Sequence, residues 1–151
     1  MTDRRQFIAV AGTALLAQYL GLPRTAWAAG RNQDAFNARS PQSVYHALGL
    51  PQPEESQAII IDAPDVAENG ANVPIEVSVN LPSVERALII AERNLFPLLA
   101  DISFTGRSEP WIEAKVKLAE SSRVRVIAQA NGKLFTASRQ VRVIVGGCLP
   151  G

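Results

Sequence analysis

From Gln57 to Val145 the apolar residues recur in a period of two, and that period confines the span to β-structure. Ile75, Val77 and Val79 alternate with Glu76 and Ser78. Ile112, Ala114, Val116 and Leu118 alternate with Glu113, Lys115 and Lys117. Val124 and Val126 alternate with Arg123 and Arg125, and Val141, Val143 and Val145 with Arg142 and Ile144. Successive side chains of a strand point to opposite faces, so each run predicts a half-buried strand. Shorter runs at Ala58 to Ile61, Ile102 to Phe104 and Leu134 to Ala137 add others, and Ala87 to Ala91 is apolar without interruption. Turn formers at Asn69-Gly70, Gly106, Ser121-Ser122 and Asn131-Gly132 separate them. Seven or eight strands with no helix between them predict an all-β fold, an immunoglobulin-like antiparallel β-sandwich over residues 51–145. A small closed barrel is the other arrangement that this spacing permits.

The segment ahead of the sandwich, residues 29–50, has a different texture. Ala29 to Asn37 is polar and reads as loose chain. Ser40-Pro41 has the pattern of a helix N-cap followed by Pro at the first helical position. Val44, Tyr45 and Leu48 then give an apolar stripe that Gly49 ends, a short N-terminal helix. His46 lies on it, with no second His or Cys nearby in sequence, and reads as a surface side chain.

Residues 1–28 do not belong to the fold. Arg4-Arg5 precedes Phe7, Ile8 to Leu22 is a 15-residue run without charge, and Ala26-Trp27-Ala28 is a small-x-small cleavage site. That order of regions is a bacterial export signal. The run is short of the ~20 residues that span a bilayer, which argues against the alternative of an uncleaved anchor and leaves no membrane span after cleavage. The paired arginines mark the twin-arginine (Tat) route, which carries folded cargo to the periplasm. Folded export has a reason when a chain must fold around a cofactor or a partner. No cofactor motif is present, so a partner lacking its own signal is the expectation. The unbroken run Ala87 to Ala91 adds to it, since a strand apolar on both faces calls for cover, here expected from an apolar heterodimer interface of at least about 1,000 Å².

Composition narrows the chemistry. Fifteen Lys and Arg against 14 Asp and Glu leave no net field to attract nucleic acid or an anionic membrane. One His and one Cys fall short of the three or four ligands of a zinc site, and one Cys forms no internal disulfide. Arg and Lys on the outer faces of the Ile112 and Val124 strands are interspersed with Glu109, Glu113 and Glu120, and read as a solvated mixed face. Phe96-Pro97-Leu98-Leu99 reads equally as a core turn or as an exposed edge for a partner.

The single Cys, Cys148, stands just past Gly146 and Gly147 at the end of the last predicted strand. A structural Cys belongs in a core, and chain ends are exposed. Two glycines without Cβ make a thin hinge for residues 146–151, which can carry the thiol into another protein's pocket. An unpaired Cys in an oxidising compartment is blocked, paired with another chain, or in use. No Lys, Arg or His lies within five residues of it, and the Gly151 carboxylate opposes thiolate formation. The thiol is therefore suited to being acted upon by other enzymes.

These motifs together resemble the SoxY family, the sulfur-carrying subunits of the periplasmic thiosulfate-oxidising Sox system. The resemblance runs from about Phe36 onward. It rests on the twin-arginine signal, Ala67-Glu68-Asn69-Gly70 followed by Val73-Pro74, the Asn94 to Pro97 segment, Ser122-Arg123, and Val145-Gly146-Gly147-Cys148. It implies an immunoglobulin-like sandwich in a heterodimer with a SoxZ-like subunit that lacks a signal, and Cys148 as the covalent attachment point for sulfur. It further implies three partner enzymes: a haem enzyme that conjugates thiosulfate to the thiol, a hydrolase that releases sulfate, and a sulfane dehydrogenase. The chain itself needs no cofactor and has no active site in this reading. The family tail, Gly-Gly-Cys-Gly-Gly, is replaced by Gly-Gly-Cys followed by Leu149-Pro150-Gly151, bulkier and fixed in φ at Pro150.

Three functions follow: a swinging-arm sulfur carrier, a periplasmic adaptor or assembly module whose Cys is incidental, and a small Cys-dependent enzyme, weakest because no base flanks the thiol. The export reading has its own test. Replacing Arg4 and Arg5 by Lys should strand the protein in the cytoplasm, scored by fractionation; normal export of that variant would refute the twin-arginine route.

Overall fold

Among the described residues, 30–144 of the computed structural model, nine strands pair into two facing sheets. They are β1 (Glu54–Glu55), β2 (Ile59–Asp62), β3 (Val66–Ala67), β4 (Val73–Val79), β5 (Val84–Ala91), β6 (Leu98–Ser103), β7 (Trp111–Val116), β8 (Ser122–Ala130) and β9 (Lys133–Val143). The larger sheet runs β1-β9-β8-β5-β6, with β3 also on β9; the smaller runs β2-β4-β7. All long pairings are antiparallel, while the two-residue strands β1 and β3 lie parallel to β9. This is the expected immunoglobulin-like sandwich. The chain starts beside β9 in the large sheet as β1, passes to the small sheet as β2, then returns as β3 to β9.

Alternation places the core where the sequence reading expects it. Val73, Ile75, Val77 and Val79 of β4 pack against Ile89, Val124, Val126 and Val141 of the larger sheet, all buried. The β8–β9 hairpin closes on Asn131 and Gly132, both at positive φ (51° and 73°), the two-residue turn whose twist suits antiparallel strands. No turn residue interrupts Lys133 to Val143, so the two strands expected from Leu134 and from Val141 are one.

Two expectations change. Ala29 to Asn37 is not all loose: Gln33–Asn37 forms a helix, α1, capped by Asn32, whose Oδ1 accepts from Ala35 N–H at 3.0 Å. The expected short helix is α2 (Pro41–Leu48), with Ser40 Oγ accepting from Ser43 N–H at 3.1 Å. Gly49, at φ 63°, ends it, and Gly49 and Leu50 N–H return to His46 and Tyr45 carbonyls. Asn32 Nδ2 ties the helices together through Ala47 O at 3.3 Å.

The second change concerns Ala87 to Ala91. Ile89 and Ala91 face the sandwich core, while Leu88 and Ile90 face outward, with Ile127 and Leu98, beneath Ala35 of α1 and Val44 of α2. The run needs cover, as expected, but the chain supplies it with its own helices. It therefore gives no reason for a partner. Each large side chain so buried contributes about 1.5–3 kcal/mol, enough to hold two short helices that would be marginal alone. Among the described residues no helix is long and apolar enough to cross a membrane.

Ile90→Ala should cost about 2–5 kcal/mol and Ser40→Ala about 1 kcal/mol in urea unfolding. A loss under about 1 kcal/mol for Ile90→Ala would show that the helices do not seal that face.

Candidate functional site

The end of β9 is where the chain sets out toward Cys148, and β3, the β3–β4 loop and the β7–β8 turn converge on it. Crossing to the large sheet brings β3 alongside: Arg142 N–H donates to Asp65 O and Ile144 N–H to Ala67 O, each at 2.9 Å. Ser121, in the β7–β8 turn, grips the same strand from the other side. Its Oγ accepts from Val143 N–H at 2.9 Å and donates to Val143 O at 3.4 Å.

Gly70 completes the contact. A Cβ there would stand 2.5 Å from Leu118 O and 2.8 Å from Val143 Cγ1, so only glycine lets the β3–β4 loop lie this close. Gly70 O in turn accepts from Leu118 N–H at 2.7 Å. Asn69 shapes the loop, its Oδ1 accepting from Ala71 N–H at 2.9 Å. From the β5–β6 turn, Asn94 Nδ2 donates to Lys117 O at 2.7 Å and Asn94 Oδ1 accepts from Ala119 N–H at 2.9 Å. Buried Ser122 accepts from Arg93 N–H at 3.1 Å.

Ala67, Gly70 and Ser121 thus meet the last described residues of β9, while Asn94 and Ser122 brace the 117–123 backbone beside them. They make a mount for the end of β9, and Ile144 leaves it 53% exposed, at the surface. Cys148, Gly146 and Gly147 lie outside the described residues, as do Val145 and the export segment. Sequence reasoning missed Ser121's grip, reading Ser121-Ser122 only as a turn, and missed β3, whose two residues carry no period.

The remaining polar clusters have structural partners. His46 is exposed on α2. Arg125 departs from the solvated face expected of it and sits half-buried, with Nε 2.8 Å from Glu92 and a second nitrogen 3.5 Å from Glu55. Burial opposes its charge, but the Glu92 hydrogen bond and field outweigh that and raise its pKa. Burial likewise raises that of Tyr45, against the pull of Arg125. These groups line a polar cavity of about 400 Å³ between α2 and the sheet. With two carboxylates on one guanidinium it is no anion site; the ion pairs tie β1 and Glu92, just past β5, to Arg125 of β8. Phe96 is exposed and stacks under Arg39 at 5.0 Å, while Pro97 and Leu98 are buried, so the Phe96 to Leu99 segment is part edge and part core. Among the described residues no three His, Cys, Asp or Glu side chains come together as a metal site.

The family model described as "Sulfur oxidation protein SoxY" matches residues 45–148, a span that closes on Cys148 itself. Among solved structures, the sulfur carrier protein SoxY from Chlorobium limicola f thiosulfatophilum is similar at a TM-score of 0.62 and 33% identity, over 69% of this chain and 94% of that one. A superoxide reductase (neelaredoxin) from Ignicoccus hospitalis, in a singly substituted form, is similar at a TM-score of 0.51 and 23% identity, over 58% of this chain and 80% of that one, and shares the fold alone. No curated protein sequence matches.

Gly70→Ala should destabilise the fold by about 1–3 kcal/mol, because backbone Leu118 O cannot retreat. Amide exchange should quicken at Val143 and Ile144 more than at β5. Unchanged protection at the end of β9 would show that the mount does not depend on this contact.

Proposed function

The chain belongs to the SoxY family of sulfur oxidation proteins, and from that membership we propose that it is a periplasmic carrier holding sulfur covalently on Cys148 and presenting it to partner enzymes. The observation that carries this reading is that the family match runs to Cys148, the only thiol in the chain. The 33% identical relative, described as a sulfur carrier protein, supports it.

The chemistry asks little of the carrier. Loading joins the thiol to thiosulfate: R–SH + S₂O₃²⁻ gives R–S–S–SO₃⁻, one proton and two electrons, the electrons passing to a haem-containing partner. Hydrolysis then breaks the bond between sulfane and sulfonate sulfur. With water it gives R–S–S⁻, sulfate and two protons. A sulfane dehydrogenase clears the remaining sulfur. Nothing near Cys148 in sequence lowers its pKa, so deprotonation falls to the partner that encloses it. The carrier's part is to offer a reachable thiol from a fixed base, which suits Gly146 and Gly147 following a strand fastened by Ala67 and Ser121. A SoxZ-like subunit completes the proposed heterodimer. Leu149-Pro150 adds bulk beyond the thiol and restricts which enzyme channels accept the tail.

Cys148→Ser should abolish sulfur loading, read by intact mass, while changing stability by less than about 0.5 kcal/mol. Serine keeps the size but is a far poorer nucleophile and forms no S–S bond. Deleting Gly146 and Gly147 should leave the thiol titratable by a small reagent yet stop loading by a protein partner. Replacing Leu149-Pro150-Gly151 by two glycines should improve loading by enzymes built for a glycine tail. Full transfer by the Cys148→Ser protein would overturn the carrier reading, and a permanently bare thiol on protein from its host periplasm would favour the adaptor.

A further inference from the structure

The apolar runs of β5 and β2 both break the alternation of the sandwich, and among the described residues only that of β5 is covered. In β5 the outward pair, Leu88 and Ile90, is sealed by α1 and α2. In β2, Ile59 and Ile61 enter the core and Ile60 is left 54% exposed on the outward face of the three-stranded sheet. Ile60 pairs with Ser78 and Ser78 with Trp111, itself 48% exposed, so one row across that face reads Ile60, Ser78, Trp111.

The next row reads Asp62, Glu76, Glu113, three exposed carboxylates on directly paired positions. Glu76 accepts from Trp111 Nε1 at 2.8 Å, which ties the two rows together. Among the described residues none of the three carboxylates is ion-paired with Lys or Arg. Like charges directly opposite across strands are destabilising, and large apolar side chains in the neighbouring row stay in contact with water. Both penalties are relieved by a single kind of occupant, one that sets Lys or Arg against the carboxylate row and apolar side chains against Ile60 and Trp111. A second copy laid face to face brings the same carboxylates. The one cation it offers from the outward positions of these strands is Lys115, opposite Pro74.

We infer that the outward face of the small sheet is the seat of the second subunit, a protein presenting a basic row flanked by an apolar patch. This rests on the heterodimer reading above and assigns its surface. The probe is the signal-less immunoglobulin-like subunit, prepared separately without label and added to the chain. Trp111 is the only tryptophan beyond Trp27, so 5-fluorotryptophan in this chain gives a single ¹⁹F signal once the export segment is removed. That signal should shift and lose solvent contact in the complex. Trp111→Ser should weaken binding at least about tenfold. Asp62→Lys with Glu113→Lys should slow association about tenfold at low salt and remove its salt dependence, with urea midpoints at or above wild type because Glu76 then faces Lys on both sides. A wild-type complex whose ¹⁹F signal and affinity ignore these changes overturns the assignment alone. Failure of the wild-type chain to bind overturns it together with the heterodimer, while leaving Cys148 loading to be judged separately. A concentration-dependent ¹⁹F shift of the chain by itself puts a second copy on this face and overturns it as well.

Discussion

The parallel pairing of Val66-Ala67 with Arg142-Val143 determines where the C-terminal segment leaves the sandwich. A final strand held only by β8 would have one open edge and would fray from its end. With Ala67 O on Ile144 N–H and Ser121 Oγ on Val143, the edge is occupied up to the last described residue. Gly70 and Asn94 serve this pairing indirectly. Gly70 lets the loop after β3 press against Leu118 and Val143, and Asn94 stiffens the 117–119 backbone from the far side. The consequence for function is geometric. For the proposed hinge at Gly146 and Gly147 a fixed base would matter, because motion at the base would blur the reach that such a hinge supplies.

Much of this fold was legible because alternation is a local signal. β4, β7 and β8 lie where Ile75, Ile112 and Val124 set the period. What escaped depends on distant partners. β1 and β3 are two residues each and exist only because β9 runs beside them, so no window of sequence contains their cause. α1 escaped because five residues give too few turns for a stripe, and a side-chain cap at Asn32 with burial of Ala35 replaces periodicity. For β5 the sequence carried the need for cover but not its source. Arg125 looked like its solvated neighbour Arg123, yet of the two side chains only that of Arg125 pairs with Glu92.

The site divides in the same way. Cys148 stood out by being the only thiol and by its place after two glycines, neither of which requires a fold. The mount did not stand out as one object. Its members come from three loops far apart in the chain, and only the tertiary structure brings them to one end of β9. Ser121 had no distinguishing mark, since Ser-Ser in a turn is ordinary and its role depends on Val143 being 22 residues away in sequence but in contact.

The two faces of the sandwich now differ in kind. The large sheet is closed on its outer side by α1 and α2, and its last strand delivers the C-terminal segment. The small sheet is open, with an apolar row and an acidic row side by side. The proposed partner seat is thus on the outer face of one sheet, while the mount is built from loops at one end of the other. On that proposal a subunit on the small sheet would cover Trp111 and the carboxylates, whereas Ser121 and Gly70 make their contacts with Val143 and Leu118 at the end of β9. Leu88 and Ile90 are already covered by α1 and α2, so a partner placed there would meet helices, not strands, and would have no apolar row to recognise.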